Sequence, residues 1–298
     1  MYIKPYIHDT EKKPVNVFDT DFSYNKRIER EYYSRLNQVN NQIDEILWGY
    51  DANDPMSSID VTQALEDYSN SLLDWATDLV GGVVYNLNID DERAWRSHSA
   101  AISKHLKWEV QHVPLEPIMA DYINENVKLI KSLPLTAAQK VQQMVLKNLY
   151  TGEYRADELS EKIRGLGSIT KSRAKLIART EIAKMSTGLT KARSEFLNIP
   201  WYIWKTSGDI RVRSSHQKMN KVLVRWSDPA SPEELDKQKR TYGHYHPGQI
   251  FNCRCFAQPV IRIEDITFPT KVYYNGQIQT MTRAKFVELA GNQMPIAA

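Results

Sequence analysis

TKSRAKLIARTEIAKMSTGLTKARSEFLNIPWYIWK, residues 170–205, changes its apolar period once, and that change decides the fold class. Ahead of Pro200, Ala174, Ile177, Ala178, Ile182, Met185, Leu189, Ala192 and Phe196 recur at steps of three or four, the stripe of an amphipathic helix. Thr170 is its candidate cap and Pro200 its stop. Beyond Pro200 the apolar run WYIW is short, aromatic and β-branched, which predicts a strand. KVLVRW at 221–226 and NCRCFAQPVIRI at 252–263 read the same way, and VYYNGQIQT at 272–280 is a hairpin candidate around Asn275-Gly276. TRAKFVELA at 282–290 suits a short capped helix.

Working outward towards the N-terminus, the pattern is helical. Ile28, Tyr32, Leu36, Val39, Ile43 and Leu47 form one stripe over about 23–50. A second helix is predicted at about 59–82, with Val61, Leu65, Tyr68, Leu72, Trp75 and Leu79 on its apolar side and an end at Gly81-Gly82. Further helices are expected at 93–108, 116–132 and 135–150, bounded by Pro114, Pro117 and Pro134. A short one at 153–164 stops at the GLG of 165–167. The expected class is α+β: a mainly helical N-terminal region, then a small α+β domain with a long helix and short strands. The expected organisation is an extended arm at 1–22, a helical region at 23–150, the α+β domain at 151–262 and a hairpin with a short helix at 263–298.

Of 298 residues, 25% are charged and 42% hydrophobic, which excludes an intrinsically disordered chain. No run approaches the roughly 18 apolar residues of a membrane helix. The N-terminal MYIKPYIHDTEKKP has no apolar core of a secretory signal. A reducing compartment is therefore expected, and with it no stable disulfide. Residues 151–298 hold 24 Lys+Arg against 14 Asp+Glu, while the rest of the chain is acidic. A basic half suits nucleic acid or an acidic protein surface, and equally an acidic half of its own chain.

Both cysteines and two of the seven histidines fall in GHYHPGQIFNCRC, residues 243–255. If 252–263 is a strand, Cys253 and Cys255 point to one face and present two thiolates together. Cys253, Cys255, His246 and His216, from RVRSSH, are the candidate metal ligands, with His244 an alternative imidazole. Zinc is the candidate ion, since it takes Cys and His in tetrahedral sets, although a Cys-x-Cys pair is closer than its usual spacing. The alternatives are two small buried core residues, or a reactive thiol. A Cys-x-Cys disulfide would be strained.

LIARTEIAK at 176–184, IPWYIWKTSGDIRVRSSHQKMNKVLV at 199–224 and HPGQIFNCRC at 246–255 together resemble the Mu F-like family of phage minor head proteins, or head morphogenesis proteins. The resemblance covers about 155–260 and maps the family pattern onto Arg179, Thr180, Glu181, Trp204, Asp209, Arg211, Arg213, His216, Asn252, Cys253, Arg254 and Cys255. Many members carry Pro before the motif's His, where this chain has Ser214-Ser215. The resemblance implies a virion protein of a tailed phage, associated with the portal or major capsid protein and placed in the capsid interior near the portal vertex. It would be made in the host cytoplasm and act in head morphogenesis, DNA packaging or genome delivery. Arg179, Glu181, Asp209, Arg211 and Arg213 are expected to pair as a fold-stabilising polar cluster between the long helix and the turn.

Two other functions compete. Ten basic residues against four acidic over 155–193 suit phosphate contacts with packaged double-stranded DNA, through Arg173, Lys175, Lys184, Lys191 and Arg193. IRGLGSITKSRAKLI echoes a helix-hairpin-helix, but Ala174 falls too far beyond Gly167 for a good match. An enzyme would use His216, His244 or His246 with Glu181 or Asp209. The chain offers no HExxH, phosphate loop or Ser-centred elbow, so a non-enzymatic role is expected.

Overall fold

The computed structural model describes residues 22–100 and 104–291. The arm expected over 1–22 lies, save for Phe22, outside the described residues. The observed class is α+β, as the change of period predicts: helices up to Phe196, then a five-stranded mixed sheet. By contacts the chain forms two compact units, each assembled from separated stretches. One comprises Lys26–Tyr85 and Met119–Glu181; the other comprises the described parts of Met1–Asn25, Asn86–Ile118 and Ile182–Ala298.

In the first unit, helix α1 (Lys26–Trp48) buries all six residues of the predicted stripe. Tyr32 donates its hydroxyl to Asn126 Oδ1 at 3.2 Å. Helix α2 (Ser57–Ser71) stops ten residues before Gly81-Gly82, and α3 (Leu73–Ala100) runs straight through those glycines. The break at Leu72 sits among serines that bond outside the helix ladder: Ser69 Oγ donates to Lys131 O at 2.9 Å and Ser71 Oγ to Tyr68 O at 2.8 Å. It resets the phase, so Ala76, Val80, Val84 and Leu87 are buried in place of Trp75 and Leu79. Two glycines cost roughly 1 kcal/mol each in a helix, which burial of those neighbours outweighs.

Of the helix expected at 93–108, residues 93–100 are the end of α3 and 104–108 belong to α4 (Lys104–Gln111). Pro134 does not divide 116–150; it lies inside α5 (Glu116–Thr151). Ile130, Leu133, Ala137, Ala138 and Val141 are buried on both sides of it. Thr136 Oγ1 donates to Ser132 O at 2.6 Å and Ser132 Oγ to Leu129 O at 2.7 Å, taking up carbonyls around the proline. The short α6 (Ala156–Arg164) follows, and α7 (Gly167–Phe196) begins three residues before the expected Thr170 cap.

The second unit holds the sheet. Strands β1 (Trp201–Lys205), β2 (Leu223–Arg225), β3 (Phe256–Pro259), β4 (Thr270–Tyr274) and β5 (Gln277–Met281) lie in the order β3-β1-β2-β4-β5. Only the β2–β4 pair, at Leu223↔Val272, is parallel. WYIW is apolar throughout because both faces of β1 are covered. Trp201 and Ile203 pack with Leu223, Val272 and Phe286. Tyr202 and Trp204 pack on the other face with Val224, Trp226, Cys253 and Cys255. Helix α8 (Ser214–Met219), helix α9 (Pro232–Leu235) and the loop 243–255 build up that second face, and α10 (Arg283–Ala290) closes the first. The predicted strand at 252–263 is reduced to β3, because Asn252 takes φ +57 and makes the preceding residues a turn.

Candidate metal centre

The two thiols converge from a turn and not from a strand. Cys253 N donates to Ile250 O at 3.2 Å, which closes the turn ahead of β3. Cys253 Sγ then accepts two backbone N–H groups, from Gly248 at 3.3 Å and from Cys255 at 3.4 Å. The loop that carries Gly248 is pinned to α7, where Thr187 Oγ1 donates to Pro247 O at 2.7 Å.

From the other side α8 delivers His216. Its Nδ1 lies 3.5 Å from Cys253 Sγ and 3.4 Å from Cys255 Sγ. All three side chains are buried, at 2–3% exposure, and their donor atoms lie within 4.8 Å of one another. Behind the ring, His216 Nε2 sits 2.9 Å from Tyr245 Oη. Tyr245 donates to Glu233 at 2.8 Å, and Ser215 Oγ also donates to Glu233 Oε1, at 3.1 Å. Because the Tyr245 hydroxyl proton is given to Glu233, its oxygen accepts from His216 Nε2–H. The imidazole is therefore held in the tautomer whose Nδ1 lone pair faces the sulfurs.

The electrostatics follow from these contacts. Hydrogen bonding from Cys255 holds the Cys253 thiol well below the usual thiol range, against the effect of burial, and His216 adds to it. The same contact, together with burial, pushes Cys255 up. Burial and the Glu233 carboxylate raise Tyr245, keeping it a hydrogen-bond donor.

Of the four ligands expected from the sequence, His216, Cys253 and Cys255 come together and His246 does not. His246 Nδ1 lies 3.0 Å from Tyr202 Oη, with its ring edge-on to Trp226 at 5.0 Å between centroids. Burial, with Lys191 nearby, lowers its pKa to about 4. His244 is exposed and bonds Pro229 O at 2.8 Å. Glu233 and Tyr245 escaped the sequence reading. Tyr245 stands between two histidines in GHYHPGQIFNCRC, but no spacing signals Glu233.

The polar residues of the expected cluster find other partners. Arg179 pairs with Glu29 on α1 at 3.1 Å. Asp209 pairs with Arg254 at 3.3 Å and accepts the Arg211 backbone N–H at 2.9 Å; the Arg211 side chain is exposed. Arg213 donates to Phe251 O at 2.9 Å and stacks over that ring. Glu181 is buried in the unit of α1, near enough to Tyr32 to help raise its pKa.

The candidate phosphate-binding residues do not form one exposed row. Arg193 is 2% exposed and ion-paired with Asp91, so it is not available to DNA. Arg173 is half-buried and donates to Ser132 Oγ at 3.2 Å. Lys184 is half-buried, Lys191 lies 3.6 Å from Glu195, and Lys175 is exposed.

Residues 139–258 match the family model of the phage Mu protein F like proteins. Over that segment the chain is similar to the Mu F-like proteins, the family whose pattern the three sequence motifs resemble. It is also 37% identical over 136 residues to an uncharacterized protein of Haemophilus influenzae, a stretch covering 46% of this chain and 28% of that relative. The chain thus spans less than a third of that relative's length. No solved structure matches. No helix among the described residues is long and apolar enough to cross a membrane.

Proposed function

We propose that the protein is a head morphogenesis protein of a tailed bacteriophage, built into the virion as a minor structural component. The observation that carries this reading is the Mu F-like match over residues 139–258, which contains His216, Glu233, Tyr245, Cys253 and Cys255. The finer reading is association with the portal or major capsid protein at the inner side of the portal vertex, in support of DNA packaging or delivery.

The chemistry of the buried cluster supports a structural role over an enzymatic one. A hydrolytic centre needs an open position for substrate and a placed base. His216, Cys253 and Cys255 are instead buried, with the rings of Trp204 and Tyr245 packed on His216. The partners found for Arg173, Lys191 and Arg193 weaken a direct DNA-binding role for α7.

The test is a phage lysate from a strain carrying the tagged gene. Purified heads should retain the protein after high-salt washing, and portal protein should co-purify with it. Heads that assemble and package normally without the gene, and never contain its product, would sink the reading.

A further inference from the structure

We infer that His216 Nδ1 and the thiolates of Cys253 and Cys255 bind one zinc ion as a structural centre, oriented by Glu233 through Tyr245. The inference stands independently of the head-protein reading, since it concerns the chemistry of the buried cluster alone.

Four observations carry it. First, zinc bonds of about 2.3 Å to sulfur and about 2.0 Å to nitrogen put the tetrahedral S-to-N edge at about 3.5 Å. The two edges are 3.5 and 3.4 Å. Second, two sulfurs converge on one imidazole lone pair, which accepts a single S–H. A cation at that point engages both sulfurs and the nitrogen together. Third, Cys253 Sγ already accepts two backbone N–H groups, the environment of a thiolate acting as acceptor. Fourth, His216 presents its second nitrogen to a tyrosine hydroxyl backed by a carboxylate, as metal-bound histidines do.

Charge balance points the same way. Glu233 is 0% exposed, and its ion-pair contact among the described residues is to His216, at 3.8 Å. A buried carboxylate is costly without positive charge nearby, and a divalent ion on the other nitrogen of the same imidazole supplies it. Soft sulfur donors with one imidazole favour zinc over calcium or magnesium, which take oxygen. Three protein ligands leave one tetrahedral position for a water. That stoichiometry also serves catalytic zinc, but the enclosure of all three side chains assigns this centre to holding α8 and the 246–255 loop on the sheet.

The experiment is elemental mass spectrometry on the full chain, purified without chelator or metal-charged resin, followed by cobalt substitution. One zinc per chain is expected, together with a thiolate-to-cobalt charge-transfer band after exchange. Cys253→Ser and Cys255→Ser should each lose the metal, while His246→Gln and His244→Gln should keep it. Glu233→Gln should bind zinc about 10–100-fold more weakly in chelator competition while still taking up one ion per chain at saturation. Where a cysteine variant fails to fold, the cobalt spectrum of the natural chain still decides. Folded protein that takes up neither zinc nor cobalt overturns the inference. So does bound cobalt without a thiolate band, or loss of zinc in His246→Gln.

Discussion

Gly248 holds φ +84, and a Cβ there would lie 2.8 Å from Ala183 O and 3.0 Å from Thr187 Oγ1. The nearer atom is a helix carbonyl that cannot swing aside, so Gly248→Ala should cost about 2 kcal/mol or more. Urea unfolding measures it, and a loss below about 0.5 kcal/mol would show that the loop is not pinned there. His246 gives a second test at this scale. Its folded pKa of about 4 lies below the ordinary 6.5, so the unfolded chain binds its proton first as the pH falls. The stability is present in full above pH 6.5 and lost as pH drops towards 4, by up to about 3 kcal/mol. His246→Phe should flatten that part of the stability-versus-pH curve; an unchanged slope would mean the imidazole protonates freely in the fold. The pairing of Cys253 with Cys255 was legible because two rare residues stood two positions apart, and His216 entered only as a candidate from a separate motif. The choice of His216 over His246 was not legible, because it depends on α8 bringing a residue 37 positions away onto the thiols.

At the scale of elements, α7 shows how a stripe can mislead. The predicted stripe ran from Leu189 to Ala192 and Phe196, yet Phe196 is 51% exposed. The buried line continues four residues on from Leu189 to Arg193 and then to Leu197. An arginine on that line reads as a surface charge until its partners are known. Asp91 supplies the ion pair, and Asn88 Oδ1 accepts from the same guanidinium at 2.7 Å. Asp91 also accepts from Thr190 Oγ1 at 2.5 Å. Asp91→Ala strands a buried cation and should cost about 3–5 kcal/mol. Replacing both partners, as Asp91→Leu with Arg193→Met, should cost less than the single change, read by denaturant midpoints. A double variant less stable than Asp91→Ala would refute that account. Pro134 and Gly81-Gly82 misled for a related reason. Local punctuation is worth a few kcal/mol at most, and the buried residues around it decide whether the helix continues.

For the whole molecule, the strand segment was legible but its company was not. Leu197, Ile199 and Ile261 share a buried cluster with Phe22, Ala94, Trp95, Leu106 and Val110. Contacts between residues so far apart leave no mark on local periodicity. A fragment of residues 151–262 lacks Asp91 and five members of that cluster, and should not fold alone. A dispersed amide proton spectrum from such a fragment would contradict this. The sheet order carries a further consequence. The hairpin of β4 and β5 closes locally through Asn275 and Gly276, both at positive φ, and joins the other strands at Leu223↔Val272. That join is a single paired position, whereas β1 pairs along its length with both β2 and β3, so the hairpin has the thinnest attachment to the sheet. In native-state hydrogen exchange, the amides of 277–281 should accordingly open below the global unfolding energy, while those of Trp201–Lys205 exchange only with it.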